Sequence, residues 1–131
     1  MKSGLLKIIA FLVLLSIISS AGCTESTTNP EEAIEAYFQA LIARDVEQLS
    51  NLSCTEWESS ARTDLDSLTA VIATLENFSC QAAGTDNDHT LISCSGKIVA
   101  NYGDEILEIE MSERLYLARF EAGEWRMCGY K

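Results

Sequence analysis

Hydrophobic positions along the chain change period twice, and the two changes divide it. From Ile8 to Ile18 the run IIAFLVLLSII is unbroken by charge. After Asn29 the apolar residues space out: Ile34, Tyr37, Phe38, Leu41 and Ile42 follow the i, i+3, i+4, i+7, i+8 pattern of one helical stripe. Glu31, Glu32, Glu35, Gln39 and Arg44 take the opposite face. Asn29-Pro30-Glu31-Glu32 reads as a helix start, with an Asn cap, Pro in the first turn and carboxylates at the positive dipole end. Asp45 with Gln48 three residues on predicts a second, short helix whose Val46, Leu49 and Leu52 point inward. A third helix is expected from Thr55, with Glu58 as its capping partner. Trp57, Ala61, Leu65, Leu68, Ile72 and Leu75 recur every three or four residues as far as Glu76, with Arg62, Asp64, Asp66 and Ser67 on the solvent side.

Beyond Glu76 the period falls to two. Phe78, Cys80 and Ala82 alternate with polar neighbours, as do Ile92, Cys94, Ile98 and Ala100, and the turn Thr85-Asp86-Asn87-Asp88-His89 lies between them. Asn101-Tyr102-Gly103-Asp104 predicts a second turn. Ile106 to Phe120 reads as one long strand, kinked near Ser112-Glu113-Arg114 where the alternation changes phase. Glu121-Ala122-Gly123-Glu124 is a third turn, and Trp125 to Tyr130 a closing strand. Three helices followed by four meandering antiparallel strands is an α+β layout, with one sheet face on the helices.

The leading apolar run follows Lys2 and Lys7 and is shorter than the ~20 residues of a membrane span, which makes residues 1–22 a signal peptide. Its end, Ser19-Ser20-Ala21-Gly22-Cys23, resembles the lipobox of prokaryotic lipoproteins, although Ser20 stands where that motif favours an aliphatic residue. The resemblance implies lipidation of Cys23 and a membrane anchor on the extracytoplasmic side. Residues 23–29 then form the lipidated Cys and a polar tether, and residues 30–131 the domain. Two buried acyl chains anchor where one holds weakly, since each methylene contributes ~0.8 kcal/mol.

The chain has 9 basic and 20 acidic residues; without Lys2 and Lys7 the remainder carries a net charge of −13. Nucleic acid is excluded as a partner, because no basic face can neutralise phosphates. Glu105, Glu108, Glu110 and Glu113 form an acidic strand edge that discourages edge pairing and could attract a basic partner. Asn51-Leu52-Ser53 and Asn77-Phe78-Ser79 match the N-glycosylation acceptor.

Besides Cys23, Cys54, Cys80, Cys94 and Cys128 remain, enough for two disulfides in three connectivities. Cys80 and Cys94 are equidistant from Asn87, so a symmetric hairpin sets them opposite each other, which leaves Cys54 for Cys128. A register slip of one residue would separate the first pair. No CxxC pair exists, so no zinc or other metal site is expected.

Pro30-Glu31-Glu32-Ala33-Ile34-Glu35-Ala36-Tyr37-Phe38-Gln39-Ala40-Leu41, then Asp45 and Leu49, resembles the opening of NTF2-like (SnoaL/ketosteroid-isomerase-like) domains, and Gly123-Glu124-Trp125-Arg126-Met127 resembles their ending. The resemblance implies a cone in which a bent four-stranded sheet wraps the first helix around a pocket. Tyr37, Trp57, Tyr102, Tyr116 and Trp125 are the candidates to line it, although Tyr37, Trp57 and Trp125 also fit a plain core. Family enzymes place an acid–base pair in the cone; Tyr37, Asp64, His89, Tyr102 and Tyr116 are the residue types available, and none matches a catalytic motif. The expectation is therefore a domain binding a small apolar ligand or a protein partner without a cofactor. An isomerase or dehydratase is the alternative, and a structural envelope protein, dimerising through the outer sheet face, the third reading.

Overall fold

The computed structural model describes residues 29–131, so the leader, Cys23 and the tether lie outside the described residues. Helix α1 spans Pro30–Ala43. The Asn29 carboxamide oxygen accepts from the Glu32 N–H at 2.8 Å and caps it, and Arg44 ends it in a left-handed conformation. Arg44 then reaches across the molecule, its guanidinium donating to the Val71 carbonyl. Ala33, Ile34, Tyr37, Phe38, Ala40 and Leu41 are buried, the stripe that the periodicity describes. Glu35 departs from it: the Cys80 N–H donates to its carboxylate at 2.8 Å, tying the helix to the sheet. Helix α2, Val46–Asn51, is capped by Asp45 accepting from the Gln48 N–H at 3.0 Å. Leu49 and Leu52 are buried, but Val46 is 48% exposed.

Helix α3 is shorter than its periodicity suggests. It spans Glu58–Ser67, Trp57 stands at its N-cap without a side-chain bond, and Leu68 closes it. Ile72 and Leu75 belong to a strand, β1, which spans Ile72–Asp86. Two effects override the helical spacing. Val71, Ile72 and Thr74 are β-branched and favour extended backbone. Residues 72–76 also gain a full ladder against Asn101–Lys97 of the next strand.

That strand is β2, His89–Asn101; β3 is Ile106–Glu110, β4 Leu115–Glu121 and β5 Glu124–Tyr130. The sheet is antiparallel and has five strands, not four. The long strand expected over 106–120 is broken outright by a 3-10 turn at Met111–Glu113, where its phase changes. Its two pieces lie against different halves of β2: β3 pairs with residues 97–101 and β4 with residues 90–93. Met111 is buried by this break, whereas the flanking Ser112 and Glu113 are exposed. The domain is mixed helix and sheet with most of its regular residues in strands.

The β1–β2 hairpin holds two irregularities. Its turn is the two residues Asn87-Asp88, with Asp86 opposite His89. Continued regularly, that register would place Cys80 opposite Ser95. An extra residue, Ala83, bulges between the Ala82–Ile92 and Gly84–Leu91 pairs and moves the register by one, so that Cys80 faces Cys94. A second bulge sets Asn77 and Phe78 against Gly96 alone. Gly96 has φ +88°, and a Cβ there would overlap the carbonyl oxygens of Glu76 and Asn77.

Two disulfides close the fold. Cys80–Cys94 spans the hairpin with Cα atoms 4.1 Å apart, and Cys54–Cys128 joins the segment after α2 to β5 with Cα atoms 5.0 Å apart. Beside the second, Leu52–Cys54 adds a short parallel bridge to β5: Met127 N–H donates to Leu52 and Cys54 N–H to Met127, at 2.7 and 2.8 Å. Arg119 fastens the same end, 2.7 Å from Glu56, 3.3 Å from Glu121 and 3.6 Å from Asp88. The core lies between the helices and one face of the sheet. There Ile92, Cys94, Ile98, Ala100, Tyr116, Ala118 and Met127 meet Ile34, Tyr37, Phe38 and Leu41. Among the described residues no helix is long and apolar enough to cross a membrane.

Candidate binding cavity

A cavity of about 110 Å³ opens between α1, α3 and the inner face of the sheet. α1 contributes Phe38 and Leu41, α3 contributes Asp64 and Ser67, and the strands contribute Ile98, Ile109, Tyr116, Met127 and Tyr130. Leu68, Glu110, Met111 and Arg114 complete the wall. The site follows from the break in the long strand. The 3-10 turn buries Met111 and ends at the exposed Arg114, just before β4, on the rim.

The aromatic rings are interlocked edge to face. Phe38 meets Tyr116 at 5.1 Å, Tyr116 meets Tyr130 at 6.5 Å, and Trp57 meets Tyr130 at 5.5 Å between centroids. The Tyr116 hydroxyl donates to the Met111 carbonyl at 3.2 Å, which holds the ring against the wall. Burial pushes the Tyr116 phenol up to about 12. Tyr37 stands behind the cavity. Its hydroxyl accepts from the Trp57 indole N–H at 3.1 Å, and burial raises its pKa well above the ordinary phenol range, with Asp64 adding to the effect.

The charged groups of this wall are the carboxylates of Asp64 and the exposed Glu110 and the guanidinium of Arg114. Asp64 is half-buried, and loss of solvent raises its pKa; the Arg114 guanidinium opposes that rise. The two groups are too far apart for an ion pair, and among the described residues neither charged group has a salt-bridge partner within 4.0 Å. Arg114 instead lies over the Tyr130 ring, 4.2 Å from its centroid. Sequence reading sets Asp64 on the solvent side of α3. Its position was nonetheless legible, since it lies three residues after Ala61 and four before Leu68, on the buried stripe of the helix. The phase change near Ser112-Glu113-Arg114 marks a kink, but nothing local sets Arg114, Met111 and Tyr130 in one wall; they come together only through the strand order.

The five aromatic candidates fall in three places. Tyr116 lines the cavity, while Tyr37 and the half-buried Trp57 back it through their hydrogen bond. Tyr102 is half-exposed in the turn after β2, and Trp125 packs against Phe120 at 5.6 Å on β4–β5. His89 sits beside Asp88, Nδ1 to carboxylate 3.2 Å, at the hairpin turn and outside the cavity wall. Glu105, Glu108, Glu110 and Glu113 are all exposed, and Lys97 lies 2.7 Å from Glu108.

Two groupings bring potential metal ligands together, Cys54 with Glu121 and Cys128, and Glu56 with His89 and Cys128. Both depend on the sulfur of Cys128, which the disulfide denies to a metal as a thiolate. A shallower hollow of about 240 Å³ runs past Ser79, Gln81, Ser93, Ser95 and Ser112. It is larger but carries no ionisable or aromatic side chain, and its Ser79 and Ser95 hydroxyls bond each other at 3.0 Å. The cavity at Asp64 has the chemistry of a ligand site: apolar walls and few polar groups. The chain matches no protein-family model, and neither a curated protein nor a solved structure shows significant similarity to it.

Proposed function

We propose that this chain is an extracytoplasmic lipoprotein, anchored through Cys23, whose domain binds a small, largely apolar ligand without catalysing its conversion. The cavity at Phe38, Tyr116 and Asp64 carries the ligand half of this reading. It is framed by rigid elements, and an engineered apolar cavity of ~150 Å³ takes up benzene, so 110 Å³ with an open mouth suits a ligand of comparable size. The export half is supported by the leader, the Ser19–Cys23 motif and two cystines, bonds that persist in oxidising compartments. The placement of α1 over the inner sheet face beside a cavity supports the NTF2-like relationship that the α1 sequence suggests.

Acid–base catalysis is the second reading, favoured by one observation: a half-buried carboxylate of raised pKa in an apolar wall is a proton acceptor in waiting. Among the described residues, however, no hydroxyl or ring N–H is hydrogen-bonded to the Asp64 carboxylate to act as its acid partner.

Purification of the full chain in mild detergent, followed by intact mass spectrometry, tests the export half; Cys23 carrying a diacylglyceryl thioether is expected, and an unmodified thiol refutes the anchor. Extraction of co-purified small molecules, with benzene titrated into the emptied chain in nanodiscs, tests the other half. Saturable binding that shifts NMR signals of Phe38 and Tyr116 is expected, and no shift with benzene or with any extracted small molecule refutes the cavity as a site.

A further inference from the structure

We infer that the ligand of this cavity is a small zwitterion, an α-amino acid with a short branched aliphatic side chain, whose ammonium meets Asp64 and whose carboxylate meets Arg114. The inference rests on reading the cavity as a ligand site and names what fills it. Its basis is the unusual pairing of charges in the wall. Arg114 is the one cation of the wall, Asp64 its half-buried carboxylate and Glu110 an exposed one, and among the described residues neither carboxylate is within ion-pair distance of the guanidinium. A molecule carrying both charges a short distance apart satisfies each end at once.

The arrangement of the two groups fits those roles. The Arg114 guanidinium carbon lies 4.2 Å from the centroid of the Tyr130 ring, a contact with the ring that satisfies none of its N–H donors with an oxygen acceptor. The paired donors of a guanidinium match a carboxylate. Asp64 has acceptor oxygens, lost solvent and no donor, a state that a primary ammonium relieves. Phe38, Leu41, Leu68 and Ile98 supply apolar wall in the same cavity. A cavity of about 110 Å³ accommodates an isopropyl or isobutyl group there.

Other charge classes fit less well. A net anion approaches a domain whose charge is −13 without the leader and would lie against Asp64. A net cation meets Arg114 at the rim. A pure hydrocarbon further strips water from the Asp64 carboxylate and returns no hydrogen bond. A zwitterion has no net charge for the long-range field to oppose.

Calorimetric titration of L-valine into the full chain in nanodiscs, beside two analogues, tests the assignment. Valinamide keeps the ammonium and lacks the carboxylate charge; N-acetylvaline keeps the carboxylate and lacks the ammonium. Each analogue is expected to bind at least roughly tenfold more weakly than valine. Asp64→Asn is expected to weaken valine while leaving N-acetylvaline unchanged, and Arg114→Gln to weaken valine while leaving valinamide unchanged. Valine failing to bind at about 10 mM, or either analogue matching it, overturns the inference. Benzene separates the two levels: benzene binding without valine overturns the zwitterion alone, whereas neither binding overturns the ligand site as well.

Discussion

Replacing Gly96 with alanine puts a methyl group where two carbonyl oxygens already lie. Gly96 is the single residue opposite Asn77 and Phe78 in the bulge, and its φ of +88° is one that residues with a Cβ rarely adopt. Two penalties add. Holding an L-residue at positive φ costs about 1–2 kcal/mol, and forcing a methyl against backbone costs about 1–3 kcal/mol, because backbone cannot swing aside as a flexible side chain can. Together they come to about 3 kcal/mol. Gly84 supplies the internal control: its φ is +131° but a Cβ there meets nothing within 4 Å, so Gly84→Ala bears the conformational part alone, about 1 kcal/mol. In a domain of about 100 residues each kcal/mol moves Tm by roughly 4–8 °C. Calorimetry of the oxidised full chain is therefore expected to show a drop of about 12–24 °C for Gly96→Ala and about 4–8 °C for Gly84→Ala. Equal drops for the two variants would refute the overlap at the bulge, and with it the register of β1 on β2.

The two disulfides should differ in weight. In the chain-entropy account, loops of 14 and 74 residues correspond to about 3 and about 4.5 kcal/mol, so Cys54→Ala/Cys128→Ala should lose more in urea unfolding than Cys80→Ala/Cys94→Ala. Trp57→Phe removes the donor to the Tyr37 hydroxyl and should cost about 1 kcal/mol in the same assay, with no change for Trp125→Phe at that bond. Tyr116 is neutral in the fold up to about pH 12, above the ordinary phenol value of 10.0. Its folded pKa exceeds its unfolded one, so the stability tied to it is complete below pH 10 and is lost as pH rises through 12; absorbance at 295 nm should show Tyr116 and Tyr37 ionising above the ordinary phenol range. Asp64 has the opposite consequence to a salt-bridged carboxylate. Its folded pKa is raised, so its ionisation destabilises the fold, and Asp64→Asn should raise Tm at pH 7 and lose that advantage in acid where the carboxyl is already neutral. A lower Tm for the variant at pH 7 would contradict this.

Local chemistry was enough to place α1 and α2. Asn29, Pro30 and Asp45 cap and start helices through bonds that span three residues, and such bonds depend on little beyond the segment itself. The same holds for the phase change near Ser112, which marks where the long strand breaks, although only the structure turns that kink into separate β3 and β4 strands on different halves of β2. The end of α3 was beyond local reading. Ile72 and Leu75 continue a helical spacing in sequence, and it is the ladder to β2, a partner some 25 residues away, that draws them into a strand.

The cystine at Cys80 and Cys94 shows both sides of the division. Spacing about Asn87 pairs them, but the observed turn is two residues long and by itself would set Cys80 against Ser95. The bulge at Ala83 restores the pairing, and a bulge is a property of two strands in register, not of either sequence alone. The cavity divides in the same way. Phe38 and Leu41, and with hindsight Asp64, lie on helical stripes that periodicity reveals. Arg114, at the end of the 3-10 turn, and Tyr130, on β5, join them from elsewhere in the chain, because contact with a ring and closing a wall are contacts between elements. Periodicity determines which face of each element is apolar; only packing decides which faces meet, and where they leave a gap between charges of opposite sign.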